Sequence, residues 1–140
     1  MKKSLSILLY FVAFSLPVYL FEITYRSQFS ELELNSGGVY RDAPNFYLLL
    51  SLILAFLVAW ASTQFSRKIV FWFIVIFVNI LFYIWMCFFV ATESMHLRGT
   101  TWPYIDILNY LVLNKWYFYV FGSVGIALLF LLPLNSGERQ

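Results

Sequence analysis

Glu93 and His96 stand three residues apart. On a helix, that spacing puts a carboxylate and an imidazole on one face, as in one half of a carboxylate-bridged di-metal centre. Arg98 and Asp106 follow in the same stretch. Together the four would make an acid–base cluster able to work on a substrate at a membrane surface. A di-metal centre needs a second Glu-x-x-His pair and further carboxylates projecting into a bundle. The chain has a single histidine, so no second pair exists. His96 therefore reads first as a solvated boundary residue, and the catalytic candidates end with Glu93, His96, Arg98 and Asp106.

Other chemistry is missing from the residue inventory. There is no nucleophile elbow, no Gly-rich phosphate loop and no zinc-protease helix. The lone Cys87 excludes a disulfide framework and a cysteine-based zinc site. It lies deep in an apolar run, where a thiol is shielded and inert. One histidine also excludes bis-histidine haem ligation. No metal and no cofactor is expected, and the sequence points away from an enzyme.

Composition explains where such sparse chemistry would sit. The chain has 140 residues, 62% apolar, 22% aromatic and 11% charged. A soluble domain carries about 25% charged residues, and a chain this short cannot bury so much apolar surface in one core. A net charge of +2 without a basic run excludes a nucleic-acid partner. The expected fold class is all-α: a four-transmembrane-helix bundle forming a single domain over 1–140.

A spanning helix needs about 20 mostly apolar residues. Four stretches qualify: 5–21, 46–63, 69–91 and 116–134. The third is the strongest, with sixteen Leu, Ile, Phe or Val among its 23 residues. The first follows Lys2 and Lys3 and has a small-x-small pattern at Ala13 and Ser15, as a signal peptide would. Its apolar run continues past the only plausible cut, so an uncleaved span is expected. Pro17 removes one helical hydrogen bond within it, which predicts a kink near Ala13 to Pro17.

Charge orients these spans. The head, the link 64–68 and the tail hold Lys2, Lys3, Arg67, Lys68 and Arg139 against one acid, Glu138. The long loops 22–45 and 92–115 hold six of the seven acids. The positive-inside rule then places both termini in the cytoplasm and both long loops outside, as in a bacterial inner membrane protein.

In the first loop, Phe29 to Leu34, a Gly-rich turn at Asn35 to Gly38, and Val39 to Asp42 read as a small β-hairpin. In the second, Pro103 precedes Tyr104, Ile105, Ile107, Leu108, Leu111 and Val112 at helical spacing. This predicts a short helix in the outer interface, anchored by Trp102 and Trp116.

No ionisable residue lies inside the four spans, and Glu22 flanks the outer end of the first, within reach of the interface. That argues against an ion path. The remaining intramembrane features concern packing. Ser51, Ala55, Ala59 and Thr63 form a small-residue face at four-residue spacing, and Gly122, Ser123, Gly125 and Ala127 form another. Small residues let helix backbones approach, and Asn79 is placed to hydrogen-bond across helices. Rings cover every side of the third span, so some must face lipid or another protein.

The expected function is non-enzymatic binding of other membrane components. The chain would be an accessory or regulatory subunit, or a protective protein against a membrane-active toxin. Its partners would be the bilayer and another membrane protein or a second copy. Two alternatives stand behind this: a lipid-modifying enzyme using the outer cluster, and an oligomeric channel or transporter.

Overall fold

The computed structural model describes residues 3–28, 43–97 and 102–131. Helix α1 spans Lys3–Arg26, α2 Ala43–Gln64 and α3 Lys68–Leu97. A short helix, α4 (Tyr104–Asp106), continues into a π-helical segment, Ile107–Leu113, and α5 spans Trp116–Phe130. No strand occurs among the described residues. The expected β-hairpin at 29–42 lies outside them, as do Arg98 and the tail from 132.

Helices α1, α2 and α3 are each long and apolar enough to cross a membrane. Of the expected fourth span, 116–134, residues 132–134 lie outside the described residues. Among the described residues, helix α5 qualifies only together with the preceding helical segment, and the two are bent by 75° at their junction. The described part of α5 has 15 residues, about 22 Å at 1.5 Å per residue.

The segment before α5 also departs from the expected spacing. Its buried residues are Ile107 and Val112, five apart, while Tyr104 and Ile105 are exposed. A π-helix bonds each N–H five residues back, as Asn114 N–H does to Asn109 O at 2.9 Å. Residues five apart therefore share a face, which a 3.6-residue period does not predict. Pro103 sits just before the first helical turn, at its cap position, and Phe88 packs edge-on against Tyr104 with centroids 6.1 Å apart.

Helix α1 is the hub of the bundle, packing against α2, α5 and α3. Tyr10, Phe14, Val18, Phe21 and Tyr25 are all buried along it. On α2 the buried set narrows to Tyr47, Ser51, Ala55 and Val58, while Leu49, Ile53, Phe56, Leu57 and Trp60 face outward. On α3, Phe73, Phe77 and Trp85 are exposed, and Phe71, Phe82 and Tyr83 are buried. Rings thus cover both the exposed and the interior sides of α3.

One junction explains how three helices register. Pro17 has no N–H, so the carbonyl of Ala13, four residues back, loses its helical donor. Asn79 on α3 supplies the replacement, its Nδ2 donating to Ala13 O at 3.2 Å. Gly125 on α5 closes over the same point. A Cβ there would come within 2.7 Å of Pro17 Cγ, 3.2 Å of Ala13 O and 3.3 Å of Asn79 Oδ1. Helix α1 runs unbroken through Pro17.

Candidate functional site

Of the predicted catalytic cluster, only the side chains of Glu93 and Asp106 lie among the described residues. Glu93 lies on α3 and Asp106 on α4, both half-buried. Neither side chain forms a hydrogen bond or ion pair with another described residue. His96 falls within α3, its side chain outside the described set, as Arg98 is entirely. No group of three His, Cys, Asp or Glu side chains among the described residues is placed to hold a metal ion.

The structure gathers a different polar cluster, at the end of the bundle where the long loops attach. Helix α1 runs five residues past the expected boundary, so Glu22 lies inside the helix rather than flanking it. Its side chain is only 3% exposed, which corrects the expectation that it reaches the interface. Tyr47 on α2 donates its phenol to Glu22 Oε2 at 2.8 Å. Arg26, one turn along α1, meets Glu22 Oε1 at 3.0 Å and keeps its own side chain 31% exposed.

Tyr25 leaves α1 on another side and reaches α3. Its hydroxyl lies 2.7 Å from Ser94 Oγ, and Ser94 donates to its own helix at Ala91 O, 2.6 Å away. Rings enclose this layer. Phe21 stacks on Tyr25 with centroids 5.7 Å apart and meets Tyr117 at 5.5 Å.

A buried charge is costly unless it is paired and hydrogen-bonded. Glu22 has both kinds of partner, and both come from the chain itself. The arrangement fastens α1 to α2 and, through Tyr25, to α3. Sequence reasoning missed it because Glu22 ended the apolar run. The available signal was the Glu22–Arg26 spacing, an i, i+4 pair that carries the helix one turn further.

The small-residue faces divide between inside and outside. Ser51 and Ala55 are buried on α2, Ala59 is half-buried and Thr63 is exposed. On α5, Gly125 is buried at the Pro17 junction, Gly122 is half-buried, and Ser123 and Ala127 are exposed. A Cβ on Gly122 would meet the Tyr83 ring at 2.9 Å. That ring stacks on Phe118 at 5.0 Å and donates its hydroxyl to Phe118 O at 2.8 Å.

Between α3 and α5 an open groove of about 300 Å³ faces away from the bundle. Ile80, Ile84 and Ile126 line it with Tyr119, Gly122 and Ser123. Asn79 and Tyr83 also reach it; the Tyr83 hydroxyl donates to Phe118 O and one of the two Asn79 amide hydrogens to Ala13 O. The lining is largely apolar, suited to a helix or a lipid chain. Trp102 and Trp116, the expected interface anchors, are exposed at 46% and 71%. The chain matches no family model, no curated protein and no solved structure.

Proposed function

We propose that this is a non-enzymatic multi-pass membrane protein that binds another membrane protein, or a second copy of itself, through the groove between α3 and α5. The observation that carries the reading is the groove's floor. Ser123 is small and exposed, which lets a partner helix backbone come close, and that is how helices associate in lipid. The reading fits an accessory or regulatory subunit of a membrane complex, and equally a protein that occupies a membrane-active toxin. Both tasks need shape and helix contacts rather than catalytic groups.

The charge distribution supports the threading. Lys and Arg concentrate at the head, link and tail, which sets the termini in the cytoplasm and the long loops outside, as in a bacterial inner membrane. On that threading the segment Tyr104–Leu113 lies in the outer interface, with Trp102 and Trp116 at headgroup depth. A transport reading would need Glu22 released from Arg26 and Tyr47.

Crosslinking in cells followed by purification in mild detergent tests the proposal. A defined partner or a dimer recovered with the chain is the expected result. A lone monomer with no crosslinked species contradicts it.

A further inference from the structure

Helices α1 and α2 pack closely over only part of their length. Beyond Val58 no residue of α2 is buried. A cleft of about 280 Å³ lies there, lined by Ser6 and Ile7 of α1 and by Phe56, Ala59, Trp60 and Thr63 of α2. The large side chains are apolar, and the small ones leave room for a length of acyl chain.

Just past this cleft the α2–α3 link carries Arg67 and Lys68, both exposed, and α1 begins at Lys3. No Asp or Glu occurs from residue 1 to 21 or from 43 to 92. This end of the three long helices therefore has cations and no carboxylate of their own to neutralise them. Of the hydroxyls lining the cleft, Ser62 donates to Ala59 O and Thr63 to Trp60 O, both at 2.7 Å, which leaves Ser6. The charged donors for an anion are Arg67 and Lys68.

An apolar cleft ending at cations that meet no carboxylate among the described residues has the polarity order of a phospholipid: chain first, then phosphate. We infer that the cleft holds an anionic phospholipid, its acyl chain between α1 and α2 and its headgroup against Arg67 and Lys68. Charge complementarity selects this occupant over a zwitterionic lipid, each basic residue near the surface contributing about fivefold in affinity. The site is separate from the α3–α5 groove, and its occupation needs no protein partner.

Trp60 lines the cleft and serves as the reporter. A variant retaining only this tryptophan, with Trp72, Trp85, Trp102 and Trp116 replaced by Phe, is placed in phosphatidylcholine nanodiscs. These carry an equal fraction of either brominated phosphatidylglycerol or brominated phosphatidylcholine. The expected result is stronger quenching by phosphatidylglycerol, with the preference falling about fivefold for each of Arg67→Gln and Lys68→Gln. Ala59→Phe, which fills the cleft, lowers quenching by both lipids at unchanged helix content. A Trp116-only variant, reporting from the other end of the bundle, shows no headgroup preference. Equal quenching of Trp60 by the two lipids, or a preference that survives loss of both charges, overturns the inference. In the chain with all its tryptophans, native mass spectrometry expects phosphatidylglycerol to outlast phosphatidylcholine through detergent exchange. Equal retention there overturns it as well.

Discussion

The two ends of the bundle solve opposite problems. At the loop end, α1, α2 and α3 are joined by Glu22, Tyr47, Arg26, Tyr25 and Ser94, and rings from Phe21 and Tyr117 seal the layer. At the link end no such polar joint ties α1 to α2 among the described residues, and a cleft separates them. Hydrophobic burial does little to hold helices together in lipid, because lipid tails are as apolar as leucine. Polar bonds and close backbone approach must do it instead. They lie at the loop end and at the Pro17–Asn79–Gly125 junction, which leaves the link end and the outer groove free for other molecules.

The largest expected effect comes from breaking the loop-end joint. Glu22→Ala strips Arg26 and Tyr47 of their shared carboxylate and should cost about 3 kcal/mol. That is the low end for a buried pair, because Arg26 keeps part of its side chain exposed. Unfolding followed by steric trapping in bicelles measures it. A loss under 1 kcal/mol would mean that the two ends differ less than proposed.

Next comes the junction. Gly125→Ala places a methyl within 2.7 Å of Pro17 Cγ and close to Ala13 O, where backbone limits relief, so about 2 kcal/mol is expected. Gly122→Ala meets only the Tyr83 ring, whose side chain can shift, and should cost about 1 kcal/mol. The same unfolding assay ranks the two. The reverse order would move the close-packing point away from Pro17.

Asn79→Leu should cost about 1 kcal/mol, the usual worth of an interhelical hydrogen bond in lipid. A sharper form is available. Pro17→Ala restores a backbone donor to Ala13 O, so the cost of Asn79→Leu should fall towards zero in that background. A double-mutant cycle reads this coupling directly. Independent, additive costs would show that Asn79 does not compensate for the proline.

Smallest of all are the outer residues. Glu93→Gln and Asp106→Asn should change stability by less than about 0.5 kcal/mol, as for surface substitutions away from special features. Cellular function should persist in both. Loss of function without loss of stability would favour an enzyme.

Much of the architecture was legible because apolar run length is a strong signal in lipid. Helices α1 to α3 lie where 5–21, 46–63 and 69–91 were read, each extended at its ends. The extensions were hidden because polar residues end a hydropathy window without ending a helix: Glu22 continues α1 by pairing with Arg26. The 75° bend falls at Asn114 and Lys115, where an interfacial helix and a span are separated in the sequence reading. The π-helical turn was hidden for another reason: it does not break the apolar pattern, and no glycine or proline lies between Tyr104 and Trp116 to mark it. Asn79 and Gly125 were legible one at a time as packing residues. Their meeting at Pro17 depends on which helices are neighbours, and a local pattern does not contain that.

A photo-crosslinker scanned along α5 in living cells tests the binding proposal most directly. Yields of captured protein should peak at Tyr119, Ser123 and Ile126, which line the groove, and fall at Val120 and Val124 on the other side of the helix. A flat profile, or capture of lipid alone at every position, would contradict the groove as the binding surface.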